Sequence, residues 1–336
     1  PATICSTHES LNYSSQAKRM KITFQHFQNE GIIALDTQMM RPLMVSSHLI
    51  LQNGKAAFVD VGASSSIPNL LKGLSEHSLS KADVEYVIVT HIHLDHAGGV
   101  GVLMNQLPKA KLVVHPRGSR HMIDPSKLIA GATAVYGPEE MSKTYGEILP
   151  VLEDRVIVAE DGFQLDFDGR ILEFWDTPGH ARHHLCIIDH LTSSIFTGDS
   201  FGLSYREFDY NDQVFILPTT SPVQFDPDEM KATIWRIAKF QPEAVYLTHF
   251  GRLDYRESLA EDLLRMVDAH VEIGQRAAKL EKTVKLEQIK RDLWEMLWKA
   301  AQKHSCPLDE HQAHQLLALD WELNAQGLVS WLERTA

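Results

Sequence analysis

Cysteine is scarce in this chain: 336 residues hold three, Cys5, Cys186 and Cys306, far apart and without a CxxC pair. That argues against a disulfide framework and against a cysteine zinc site, and it fits a reducing cytoplasm. Long apolar runs are missing as well. Nothing approaches the roughly 18 apolar residues of a membrane span, and the polar stretch PATICSTHESLNYSSQAKRM lacks the apolar core of a signal peptide. No membrane partner is therefore expected. Basic clusters are also absent from a chain of formal net charge −12, so nucleic acid is not an expected partner. Ser200 has no G-x-S-x-G elbow around it, which leaves no serine nucleophile.

What is present is a core-forming composition, 44% hydrophobic, with turn signals at regular intervals. KITFQHF, GIIALDT, LMVSSHLIL and AAFVDVG read as strands separated by Asn, Gly and Pro turns. SIPNLLKGLSEH (66–77) has helical spacing, with Ser66 as cap and Pro68 in the first turn. YVIVT (86–90) reads as a strand covered on both faces. A helix is expected from Asp95 to Gln106, then a strand at KLVVH, then short helices and loops over 116–150. The theme repeats with RVIVA, FQLDF, RILEFWDT, HLCIID and SSIFTGD, a helix over 226–240 capped by Asp226, and AVYLTHF.

Two β-then-α halves in tandem predict an α/β fold of two sheets face to face with helices outside. Beyond Gly251 the pattern turns helical, with Leu259, Leu263, Val267 and Val271 at i,i+4 spacing and four of the six tryptophans in this part. The expected division is an arm over 1–20, a sandwich over 21–252 and a helical subdomain over 253–336. His270, His304, His311 and His314 read as solvated helix faces. The tail either covers a site or forms a homodimer interface, and the sequence leaves both open.

The densest chemistry is VTHIHLDHAGGVG (89–101). Alternate residues of an extended segment share a face, so His91 and His93 can grip one ion. Asp95 and His96 follow where the chain turns into a helix and can reach a second. Other strand ends supply His180 in DTPGHARHH, Asp199 in FTGDS and His249 in YLTHFG, each after an apolar run and in a Gly- or Pro-marked loop. A lone histidine at a strand end is ordinarily a core or solvated side chain; the repetition over four strand ends makes this set different. Nitrogen and carboxylate donors suit zinc first, with iron or manganese as alternatives.

HxHxDH followed by distant GH, GD and TH motifs resembles the metallo-β-lactamase superfamily and its αββα sandwich, over roughly residues 21–252. The resemblance implies that His91, His93 and His180 bind one metal. It implies that Asp95, His96 and His249 bind the other, with Asp199 bridging. Asp60, in FVDVG, matches an aspartate that supports the ligand loop from behind, and His184 is expected to support the ligands in the same way. His115 and His121 read as surface or supporting groups. Tyr205 and Arg206, just after Asp199, are expected at the pocket rim, and Thr219 and Thr220 in a loop reaching the same mouth.

Two metals that share a carboxylate generally bridge a water too, and binding lowers its pKa from about 15.7 towards 7. The expected activity is hydrolysis of an ester, thioester, lactone or phosphodiester in a small-molecule substrate, with Asp95 orienting the hydroxide and shuttling its proton. The alternative on the same fold is a di-iron protein that binds or reduces oxygen or nitric oxide. Flavin-linked members of that kind typically carry glutamate where this chain has His93, and no flavodoxin pattern is present. A helical tail also resembles PqsE-like regulatory relatives.

Overall fold

The computed structural model describes residues 31–221 and 223–336. The expected arm and the KITFQHF strand lie outside them. Twelve strands form two six-stranded mixed sheets among the described residues. The first runs β1 (Ile32–Asp36), β2 (Ser46–Gln52), β3 (Lys55–Val59), β4 (Val84–Ile88), β5 (Lys111–Val114), β6 (Val156–Val158), in chain order. β3 to β6 are mutually parallel. The second runs β7 (Phe163–Phe167), β8 (Arg170–Asp176), β9 (Leu185–Asp189), β10 (Ser194–Gly198), β11 (Ala244–Leu247), β12 (Gly251–Asp254). Only β10 and β11 are parallel there.

The central strands of both sheets are buried on both faces, and the period of two explains the layering. Ile32, Ile50, Ala57, Val59 and Ile88 meet Leu172, Phe174, Ile187, Phe196 and Tyr246 between the sheets. Their neighbours Ile33, Leu49, Phe58 and Val87 face outward onto α1 (Ile67–Glu76) and α3 (Val100–Gln106). Cys186, Ile188, Ile195 and Val245 face outward onto α7 (Pro227–Phe240) and α8 (Glu257–Ala277). The result is the expected αββα sandwich.

Several local expectations change in detail. Ser66 does not cap α1 through its side chain; it closes a 3-10 turn that runs straight into the helix. The helix expected over 95–106 is broken into α2 (Leu94–Ala97) and α3 at Gly98–Gly99. A Cβ on Gly98 would lie 2.4 Å from Leu94 O, and one on Gly99 2.7 Å from Ala63 O. Residues 116–145 form three short helices, α4 (Pro116–Ile123), α5 (Ser126–Tyr136) and α6 (Pro138–Tyr145). β12 straddles the division expected at residue 252.

The tail is α8, α9 (Lys282–Lys303) and α10 (Glu310–Thr335). It shares its core with the sandwich. Leu263, Val267, Leu293 and Leu328 pack with Phe225, Ile234 and Leu247, and Leu297, Ala313 and Leu317 pack with Leu203, Phe215 and Phe250. The strict i,i+4 stripe drifts off the buried face because a helix turns every ~3.6 residues. Val271 is therefore half-buried, while Met266, His270 and Ile273 take core positions. His270, expected in solvent, is fully buried; its Nδ1 donates to Met266 O at 2.7 Å. His314 is half-buried between Trp294 and Trp321 rather than solvated. No helix among the described residues is long and apolar enough to cross a membrane.

Candidate metal centre

The C-terminal ends of β3, β4, β8, β10 and β11 open at one end of the sandwich. Backbone bonds tie the two sheets together there. Leu185 N donates to Thr90 O (2.6 Å) and Ser46 N to Thr248 O (2.7 Å). The loops leaving these strands carry every residue of the expected ligand set.

Three imidazole nitrogens converge first. His93 Nδ1 lies 2.9 Å from His91 Nε2 and 3.0 Å from His180 Nε2. Alongside, Asp95 Oδ2 is 3.4 Å from His249 Nε2 and 3.6 Å from His96 Nε2. Asp199 sits between the groups: Oδ1 is 3.3 Å from His96 Nε2 and Oδ2 is 3.5 Å from His180 Nε2. His91/His93/His180, Asp95/His96/His249 and His91/His96/Asp199 each bring their donor atoms within 4.8 Å of one another.

For His91, His96, His180 and His249 the other ring nitrogen is already engaged, which fixes which atom faces the centre. His96 Nδ1 donates to Asp60 at 2.8 Å, and His249 Nδ1 to Met44 O at 2.9 Å. His180 Nδ1 meets Thr219 Oγ1 at 2.9 Å, and His91 Nδ1 meets Thr90 Oγ1 at 3.2 Å. Four Nε2 atoms and one Nδ1 thus point inward. His96 Nε2 and Asp199 Oδ1 are buried there with no hydrogen-bond partner. Buried polar atoms are rarely left so, and lone pairs crowded at about 3 Å fit ions held at the ~2.0–2.2 Å of zinc–nitrogen and zinc–oxygen bonds.

The electrostatics divide the set. Burial, then the neighbouring imidazoles, pushes His91 well below its ordinary value, and burial and His180 push His93 to about 3. Both are neutral donors. Burial would raise Asp95 and Asp199, but His96 and His249 outweigh it and hold both carboxylates well below their usual range. Burial opposes protonation of His249, yet Asp199 and Asp95 lift it to about 9. An ion entering this side displaces protons.

Asp60 is the hub behind the ligands. Besides His96 it accepts from Thr90 N (2.8 Å), Thr90 Oγ1 and Thr248 Oγ1 (2.7 Å). Both ring nitrogens of His184 are engaged elsewhere: its Nδ1 meets Thr177 Oγ1 and Ser200 Oγ, and its Nε2 accepts Asp199 N at 3.2 Å. Gly198 (φ +47°) lets the chain pass, since a Cβ there would lie 2.6 Å from both His184 Nε2 and Thr90 Oγ1. Thr219 donates to Asp199 O at 3.0 Å while holding His180.

Tyr205 and Arg206 do not line the cavity. The Tyr205 ring is buried under the Arg41 guanidinium (4.3 Å), and its hydroxyl donates to Asp320 of α10 at 3.1 Å. Arg206 turns into its own loop, donating to Ser204 O at 2.8 Å and pairing with Asp209 at 3.2 Å. The loop must satisfy its own buried carbonyls, and this arginine does it. His115 is buried and caps α4, accepting from Arg117 N at 2.9 Å. His183, unassigned by sequence, stacks near His91 (6.1 Å) and lines the cavity. Thr90 and Thr248 were also missed, although a Thr-His pair ends both YVIVTH and AVYLTH.

A cavity of about 520 Å³ opens over the centre, with His93, Asp95 and Asp199 on its floor. Its walls are Met39, Met44, Leu128, Leu319 and Leu323 among others, from the β1–β2 loop, α5 and α10. The tail therefore forms part of the site's wall. Asn324 of α10 clamps the adjoining loop: its Oδ1 accepts Thr220 N at 2.7 Å and its Nδ2 donates to Pro218 O at 3.1 Å.

Comparison with known proteins bears on the fold and the family. The family model for the metallo-beta-lactamase superfamily matches residues 40–249. The chain is 28% identical over 242 residues to the metallo-beta-lactamase fold-containing protein ST1585 of Sulfurisphaera tokodaii, covering 69% of this chain and 84% of that one. The crystal structure of ST1585 superposes with a TM-score of 0.61 at 22% identity, over 90% of this chain and 99% of that one. The metallo-beta-lactamase family protein TTHA1429 of Thermus thermophilus gives 0.64 at 20% identity, over 91% and 94%. At these identities the likeness concerns the fold. An atrochrysone carboxyl ACP thioesterase of Aspergillus fumigatus is 28% identical over 120 residues, 36% of this chain and 28% of that relative's length.

Proposed function

We propose that this chain, which belongs to the metallo-beta-lactamase superfamily, is a dinuclear metal-dependent hydrolase of ester or thioester carbonyls. The observation that carries the reading is the pair of donor triads with Asp199 lying between them, 3.3 Å from His96 Nε2 and 3.5 Å from His180 Nε2, at the floor of an apolar cavity. His91, His93 and His180 would hold one ion and Asp95, His96 and His249 the other, with Asp199 between them. Bound metals supply a water that ionises near neutral pH and a Lewis acid for the substrate oxygen.

The chain's own residues do the rest. Asp95, ionised and exposed to the cavity, takes the proton lost by the attacking water and returns it to the leaving group. Met44 O, Asp60, Thr90 and Thr219 hold the imidazoles so that nothing must reorient during the reaction. The apolar walls exclude bulk water and seat the acyl part of the substrate. Among relatives, one is named a thioesterase, which supports a carbonyl substrate over a phosphodiester.

Metal content and turnover of an ester and thioester panel test the reading on protein purified without added metal. Two ions per chain and hydrolysis of a panel member are expected. Asp199→Ala should lose at least one ion, and activity should fall by about 10²–10³ or more, as for loss of a charge-stabilising group. Two irons, an oxygen-sensitive visible band and no turnover would replace the hydrolase with the di-iron reading.

A further inference from the structure

The mouth of the cavity is basic in a chain whose net charge is −12. Lys127, His121, Val223 and Gln224 line the cavity, and Lys127 and Val223 are exposed. Arg120 donates to His121 at 3.2 Å, and Arg117 donates to Arg182 O at 3.2 Å. Arg182 N in turn donates to Gln224 Oε1 at 2.7 Å, and Arg334 reaches Val223 O and Phe225 O. All five cations are exposed. Within 116–131, 181–184 and 223–226 the carboxylates are Asp124 and Asp226; Asp124 accepts Ser126 N and faces Lys127 and His121, and Asp226 caps α7 and faces Arg334, so two carboxylates stand against five cations. After burial, the nearby Arg182 charge is what holds Arg334 below its ordinary value. Like charges gathered at a rim favour an anion bound between them.

Resting on the hydrolase reading above, we propose that the substrate is a small acyl thioester whose thiol part carries phosphate. The apolar acyl group fills the cavity, the carbonyl lies over Asp95, and the phosphates meet Arg117, Arg120, Lys127, Arg182 and Arg334. Water oxygen bonds to the carbonyl carbon, and the carbon–sulfur bond breaks with its electron pair leaving on sulfur. One water proton passes through Asp95 to the thiolate, and the carboxylic acid formed ionises. Five exposed rim contacts, each weak, act together on binding and little on the bond-breaking step, because they hold the phosphates and not the reacting carbonyl.

The test compares octanoyl-CoA with the N-acetylcysteamine thioester of octanoate, which has the same scissile bond and no phosphate, using the metal-loaded full chain. At low salt kcat/KM should favour octanoyl-CoA by about ten-fold or more, and high salt should erase the preference. The double variant R120E/K127E should raise KM for octanoyl-CoA far more than for the short thioester, with two metals still bound. Equal kcat/KM for the two thioesters at low salt overturns the proposal and leaves the hydrolase reading intact. So does turnover confined to acyl groups carried on a protein. If neither thioester is cleaved, calorimetry with the uncleavable thioether of coenzyme A decides. Salt-sensitive binding lost in R120E/K127E keeps the anion site and removes the hydrolase reading; no binding removes both.

Discussion

The floor and the walls of the cavity are built by opposite rules. On the floor most ligands are held by a fixed partner: His96 on Asp60, His249 on Met44 O, His180 on Thr219, Asp199 N on His184. On the walls Met39, Met44, Leu128, Leu319 and Leu323 present apolar side chains, whose packing has no required direction. Directional contacts fix a donor to fractions of an ångström, which metal chemistry needs. Non-directional packing can be redrawn by swapping side chains of similar volume at a cost usually below about 1.5 kcal/mol. The floor therefore sets what reaction is available, and the walls set what is admitted to it.

The sharpest break of this contrast is a change that touches no metal and no cavity atom. Asp60→Asn keeps the shape but removes the charge that receives His96, Thr90 and Thr248. Metal affinity should fall by about 10–100-fold, as for other partners that orient ligands from behind. Titration with a competing chelator measures it. A wall substitution of similar size, Leu323→Met, should leave that affinity unchanged. Equal losses from both would mean that the floor is no more exacting than the walls.

The same contrast decides what could be read in advance. The floor is written in short motifs: His91 to His96 span six positions, and His180, Asp199 and His249 each follow an apolar strand. Strand ends of one layer must lie together, so strand patterns already imply that these residues meet. The αββα layers were legible for the same reason, since continuous apolar runs need cover on both faces. The walls were not legible. Met39, Leu128 and Leu319 look like any core residue, and only the fold brings three distant segments together. Tyr205 and Arg206 misled because closeness to Asp199 in sequence says nothing of direction. His270 misled because a polar residue on a helix was taken for a surface one, whereas a buried imidazole can satisfy one nitrogen on its own helix, as it does on Met266 O.

Where floor meets wall, α10 can be pushed away without altering either. A Cβ on Gly327 would stand 1.4 Å from Thr220 O, so Gly327→Ala must displace the helix or the loop. Overpacking of this kind typically costs about 1–3 kcal/mol. Thr220 adjoins Thr219, which holds both His180 and Asp199, so activity should drop as well. The expected result is a lower Tm with reduced kcat and both metals retained. An unchanged kcat would mean that the tail is only a wall.

A smaller effect asks whether sandwich and tail unfold together. Each has one fully buried histidine remote from the cavity walls: His48 on β2, among Phe196 and Tyr246, and His270 on α8. Burial pushes both down to about 4. In the unfolded chain they protonate at about 6.5. Between these values the unfolded state binds more protons, so stability falls as the pH drops from 7. At pH 5.5 each histidine should cost about 1 kcal/mol relative to pH 7. His48→Leu and His270→Leu should each flatten that slope by about this amount when unfolding is followed by denaturant titration. Because Leu263, Val267 and Leu328 share one core with Phe225 and Leu247, both variants should act on a single transition. Two transitions, each flattened by one variant only, would show that the tail folds as a unit of its own and that the wall it lends to the cavity can leave without the floor.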